Sequence, residues 1–323
     1  MTGPKLDRTQ TASKPSRPGG LRRRRNLARA TGNEGVTAFW LTLPAVVVVA
    51  AVVLYPILRT LLISLFRVDS SVAVDTPFVG LGNYLSVVTD PGFRSSMGRT
   101  LYFTVVSTTI ELALGFFVAL LLNAKLHARW LFRAIIVVPW ALPTVVNAAM
   151  WRGIFDAQYG PLNAILTQLG LTSQYHAWLA DPTFALHAVI IADVWKTTPL
   201  VAFFMLTGLT SIPDEVYEAA RIDRAGWVRV GRSIVIPMLM PAIAIVLVLR
   251  TVDAFKVFDV IYVMTRGGPV DSTQTVAYYA FNTAFSEQHF GTASALSYVI
   301  VLVIFALTTQ YLRLLRRSET SLL

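Results

Sequence analysis

Cysteine is missing from all 323 residues. That excludes disulfides, thiolate metal sites and a cysteine nucleophile. Histidine is scarce: His127, His176, His187 and His289 are the four, and none stands at metal-ligand spacing from another. No metal site is expected. Charge is thin as well. Asp, Glu, Lys and Arg make up 14% of the chain, against about 25% in a soluble globular domain. There is no G-x-x-x-x-G-K-[ST] pattern and no Gly-Lys pair, so the chain carries no P-loop of its own. The stretch GLGNY at 80–84 is a loop signal, since no strand–helix unit surrounds it.

What is abundant is apolar sequence, 54% of the chain. A membrane span needs roughly 20 mostly apolar residues. Spans are expected at about 37–66, 98–124, 130–154, 184–209, 234–264 and 291–315. The fold class expected is therefore an all-α integral membrane protein with about six transmembrane helices. The net charge of +10 does not form the basic face of a nucleic-acid binder. Its arginines cluster between spans, which is the positive-inside pattern.

Residues 1–35, rich in Pro, Gly, Ser, Thr and Arg and holding LRRRRN at 21–26, read as a disordered cytoplasmic tail. The apolar run that follows is far longer than the ~7–15-residue core of a signal peptide. Residues 36–318 form the membrane domain. Lys125, Arg129 and Arg133, the arginines of 211–233, and Arg313, Arg316 and Arg317 fall on one side, whereas 156–183 holds no Lys or Arg. Both termini are expected in the cytoplasm.

The segment YEAARIDRAGWVRVGRSIVIP at 217–237 interrupts this apolar chain with charge. Ser211 is a candidate helix cap, and Pro213 is tolerated in a first turn. Glu218, Arg221 and Asp223 supply charge. Ala219 and Ala220 offer a surface on which another backbone can approach closely. Gly226 is expected to break the helix. Two readings stand: a short helix seated in a partner's cleft, or a solvated basic loop that only sets topology.

Ionisable residues inside a span cost about 2.5–3.5 kcal/mol each on insertion scales. Asp193 and Lys196 can pair at i, i+3, about nine residues into the fourth span and so ~14 Å deep at 1.5 Å per residue. Asp253, Lys256 and Asp259 offer two more such pairs, and Arg250 stands beside them. These groups either line a polar pathway, with Trp140 available to stack on a pyranose face, or form ion pairs that fix helix packing. Glu111 is read as structural, before the small-xxx-small pattern Gly115 to Ala119. Pro139, Pro143, Pro199, Pro237 and Pro241 are expected to kink or delimit helices.

The charged segment resembles the EAA coupling loop of binding-protein-dependent ABC importer permeases, E-A-A-x-x-x-G followed after nine residues by I-x-L-P. Glu218, Ala219, Ala220, Ile234 and Pro237 match, while Arg224 stands for glycine and Ile236 for leucine. PWALP at 139–143, YGPLN at 159–163, ADVWKTTP at 192–199 and FDVIYVMTRGGP at 258–269 are similar to maltose-type carbohydrate permeases, with Arg266 replacing a glycine. The resemblance implies the type I importer permease fold and no catalytic residues. It implies a heterodimer with a second permease subunit, two cytoplasmic ATPase subunits that use ATP and Mg, and an extracytoplasmic sugar-binding protein or lipoprotein. This chain would bind no cofactor and sit in the bacterial cytoplasmic membrane. Glu218, Ala219, Ala220, Arg221, Asp223 and Gly226 would couple to the ATPase. Trp140, Asp193, Lys196, Thr197, Arg250, Ala254 and Val257 would fall on the substrate path. A glycerol phosphate or another polyol is an alternative cargo, and an ion-coupled secondary transporter or a transport-inactive scaffold are alternative classes.

Overall fold

A computed structural model describes residues 37–70, 75–124, 127 and 129–320. The expected basic tail lies outside these residues. The chain divides into two units, residues 1–59 and 60–323. Helix α1, Thr37–Ser64, runs across that division.

The second unit is built of helices. In chain order they are α2 (Gly82–Thr89), α3 (Pro91–Asn123), α4 (Arg129–Ala141), α5 (Thr144–Ile154), α6 (Pro161–Gln168), α7 (Ala185–Thr210) and α8 (Asp214–Ile222). There follow α9 (Trp227–Phe255), α10 (Asp259–Met264), α11 (Val276–Phe285) and α12 (Phe290–Thr320). Among the described residues there is no strand, only an isolated bridge between Phe66 and Phe78.

Among the described residues five helices are long and apolar enough to cross a membrane: α1, α3, α7, α9 and α12. The expected third span is not one rod. Its halves, Trp130–Ala141 and Thr144–Ile154, are bent by 92°. The cause is local. Pro143 has no N–H and holds extended backbone at the start of α5. The fifth span also departs from expectation. It ends at Phe255, and residues 256–258 are non-helical before α10 begins. Pro237, which cannot donate to the turn before it, lies two residues past a π-helical turn at Gly231–Val235. Pro199 and Pro241 are accommodated inside α7 and α9.

Helix α7 is the central element, packed most extensively on α3 and also on α4 and α9. Gly115 lets α3 approach: a Cβ there would lie 2.5 Å from Val201 Cγ1. One turn on, Ala119 packs fully buried with Leu122, Val201 and Met205. This close seam of α3 and α7, with α9 against both, brings the polar residues of three separate spans together.

Candidate functional site

Within that seam lies an ion-paired cluster. Glu111 on α3 is fully buried. Arg250 on α9 donates from Nε to Glu111 Oε2 at 2.5 Å and from Nη2 to Oε1 at 2.8 Å. The same Nη2 donates to Asp193 Oδ2 on α7 at 2.8 Å. Thr197 donates to Glu111 Oε1 at 2.6 Å, and its hydroxyl lies at the same distance from the Asp193 carbonyl. The planar guanidinium satisfies a bidentate carboxylate and a second one at once.

The expected Asp193–Lys196 pair is absent. Asp193 turns to Arg250, and Lys196 makes no ion pair among the described residues. A fork that engages two carboxylates outcompetes a single ammonium one turn away. Lys256 pairs with Asp253 at 3.1 Å, as expected, but both side chains are about half exposed, so the pair contributes little. The expected Lys256–Asp259 pair does not form, because Lys256 and Phe258 break the helical register between them.

The cluster forms one wall of a cavity of about 280 Å³. Of the expected path residues, Trp140, Asp193, Lys196, Thr197, Arg250 and Val257 line it. Ala254 does not. It is buried in the apolar core with Phe103, Ala192 and Ile261. Thr144, Leu200 and Phe258 join the lining instead. Trp140 enters because the Pro143 break ends α4 beside it, leaving the ring about half exposed. The wall carries three cations, Lys196, Arg250 and Lys256, and three carboxylates, Asp193, Asp253 and Asp259.

The charged segment folds as a second site. Helix α8 is short and amphipathic. Ser211 does not cap it: its hydroxyl donates back to the Gly208 carbonyl at 2.7 Å, finishing α7, and extended Pro213 precedes α8 instead. Glu218, Ala219, Arg221 and Asp223 are exposed. Ala220 is buried, 6% exposed, so the two alanines face opposite ways. Burial pushes the Tyr217 phenol up in pKa, and the Asp214 charge acts in the same sense. Gly226 does not make the turn. Arg224 does, at φ 51°, while Gly226 is extended at φ −66°. Arg266 is likewise left-handed, at φ 52°. Both arginines thus occupy conformations that glycine adopts without penalty.

Sequence reasoning left the partners of Glu111 and Arg250 unidentified, and it gave no role to Asn163, the last residue of YGPLN. The Asn163 side chain accepts from Trp178 Nε1 at 2.8 Å and donates to the His176 carbonyl at 2.9 Å, tying down the loop before α7.

Membrane-length helices around a charge-balanced polar cavity, with an exposed amphipathic helix following the central span, define a membrane transport component. The chain belongs to the family described as binding-protein-dependent transport system inner membrane component, matched over residues 111–319. It is 40% identical to the trehalose/maltose transport system permease protein MalF of Thermococcus litoralis, over 87% of this chain and 94% of that one. It is 33% identical to the sulfoquinovosyl glycerol transport system permease protein SmoG of Agrobacterium fabrum, over 88% and 92%. Its fold matches a solved chain of a bacterial ABC transporter involved in import of the acidic polysaccharide alginate, with TM-score 0.76, 19% identity and coverage of 90% and 99%. The fold is that of a type I ABC importer permease. Family membership sets aside the ion-coupled transporter and the inactive scaffold.

Proposed function

We propose that this chain is one of two permease subunits of an ATP-driven sugar importer, supplying half of the translocation path. The observation that carries this is the cavity: a polar chamber of about 280 Å³ among apolar spans, walled by Trp140, Asp193, Lys196, Thr197 and Arg250. Each group has work suited to a sugar. The half-exposed Trp140 ring offers an apolar face to a pyranose. Asp193 Oδ1 accepts from hydroxyls, since only Oδ2 is engaged by Arg250. Lys196 donates. Relatives named for trehalose/maltose and sulfoquinovosyl glycerol transport support a carbohydrate.

The wall favours a neutral sugar over a glycerol phosphate. Its three cations are matched by three carboxylates, and Arg250 and Lys256 are each engaged by an acidic side chain. A phosphate would have to compete with those partners for its counter-charges.

Coupling runs through α8. Glu218, Ala219, Arg221 and Asp223 present a small, charged, exposed surface that a cytoplasmic ATPase can grip, while Ala220 seats the helix on its own subunit. ATP and Mg belong to that partner. A second permease, two ATPase subunits and an external binding protein complete the machine, with both termini of this chain in the cytoplasm.

Uptake of labelled trehalose and maltose into proteoliposomes holding the assembled complex tests the reading. Asp193→Ala is expected to abolish uptake while the ATPase subunit still co-purifies. Unchanged uptake would remove the cavity from the path.

A further inference from the structure

We propose that Glu111 sets the charge selectivity of the path from behind the cavity wall, making it hostile to anions. The inference rests on the reading of this cavity as the route of the cargo. Glu111 lines no part of the cavity and is fully buried. Both of its oxygens accept from Arg250, and Oε1 accepts from Thr197 as well, the pattern of an ionised carboxylate held by a guanidinium fork.

The wall by itself is balanced, with Arg250 as one of its three cations. Glu111 tips that balance. It takes the Arg250 Nε and shares Nη2 with Asp193, so the best anion-binding group in the chamber is occupied before any cargo arrives. Its own charge makes the cluster net negative. In a site with low-dielectric walls, one uncompensated charge shifts the local concentration of small ions severalfold. Neutral, hydroxyl-rich cargo is indifferent to that field, whereas phosphorylated, sulfonated or carboxylated cargo is repelled. Glu111 is therefore a specificity-determining residue that does not touch the cargo.

The absence of native cysteine gives a clean assay. Thr144→Cys places a single thiol on the cavity lining. Its labelling rate is measured in freeze–thawed membrane vesicles holding the full chain, with anionic, cationic and uncharged thiosulfonate reagents. Glu111→Gln is expected to raise the anionic-to-cationic rate ratio about five- to ten-fold, leaving the uncharged rate unchanged. Glu111→Asp is expected to keep the parental ratio. A merely structural residue would change all three rates together. Should Glu111→Gln not reach the membrane, the ion pair is removed as a whole in Glu111→Gln with Arg250→Gln: if the Glu111 charge acts on the cavity the two losses offset and the ratio stays parental, whereas a wall that feels only the loss of Arg250 gives a ratio about five- to ten-fold lower. An unchanged ratio in Glu111→Gln, or a lowered one in the double variant, overturns the proposal. Protection of the introduced thiol by trehalose or maltose is scored separately. Protection without a ratio change in Glu111→Gln overturns the role of Glu111. A ratio change without protection leaves that role standing and overturns the trehalose–maltose path.

Discussion

Gly115 of α3 lies against Val201 of α7 so closely that even a methyl group would sit 2.5 Å from Val201 Cγ1. This contact lies one turn from Glu111 in the seam that aligns Glu111, Asp193 and Arg250. Gly115→Val is therefore expected to push α3 from α7, at about 1–3 kcal/mol for overpacking. A lower thermal midpoint for the purified complex would check it, together with lost uptake. Gly98→Ala on the same helix, where nothing lies within 4 Å of the added Cβ, should change neither.

Asp193 is expected to couple energetically to Arg250 and not to Lys196. Removing Arg250 leaves Glu111 and Asp193 as uncompensated carboxylates, at about 3–5 kcal/mol, whereas Asp193→Asn leaves Arg250 held by Glu111. A double-mutant cycle on thermal stability should give a large interaction between Asp193→Asn and Arg250→Gln. The cycle of Asp193→Asn with Lys196→Ala should be close to additive. Equal coupling in both cycles would contradict the observed pairing.

The two alanines of α8 separate docking from folding. Ala219 is exposed, so Ala219→Leu should leave membrane levels normal yet abolish uptake and ATPase co-purification. Ala220 is buried, so Ala220→Leu should lower the amount of folded chain itself. Glu218→Ala should be milder. A charge-assisted hydrogen bond worth about 1.5–3 kcal/mol corresponds to a roughly ten- to hundred-fold weaker docking constant. Full transport by the Ala219→Leu variant would reduce the segment to a topogenic loop.

Arg224→Gly should be tolerated, and should raise stability. A non-glycine residue in the left-handed region costs about 1–2 kcal/mol, and Arg224 sits there at φ 51°. Thermal unfolding of the two complexes compares them directly. A clear loss of stability would mean that the Arg224 side chain makes a compensating contact in the assembly.

Reporter fusions within 159–181 and after Arg316 should report opposite faces of the membrane. The first segment carries no Lys or Arg, while the second follows a basic helix end. Matching locations would refute an odd number of crossings between them.

How far the sequence could be read follows from what each feature depends on. The spans were legible because apolar length is a property of one segment. The Glu111–Arg250 contact joins residues 139 positions apart, and nothing in either span fixes the rotation of one helix against the other. Asp193 and Lys196 did lie at helical spacing, but proximity along one helix lost to a guanidinium on another. The bend at Pro143 was visible as a proline and not as an angle. The short helices at Gly82–Thr89, Pro161–Gln168 and Val276–Phe285 escaped because they are too brief for apolar periodicity to mark them. In the charged segment two helical turns were legible, and the structure has a helix at Asp214–Ile222, but which alanine faced out was not.

Val257 and Phe258 reach the cavity from outside any helix, in the gap between Phe255 and Asp259. Exchanging Val257 breaks no helical ladder, whereas Phe258 is held in an aromatic cluster with Tyr262, Tyr278 and Phe281. If the cavity is the route proposed above, Val257 is where a lineage can alter its diet cheaply: cargo preference can drift there while the helices around it stay constant. The same property makes it the first position to randomise when a permease of this kind is to be retrained for a new solute.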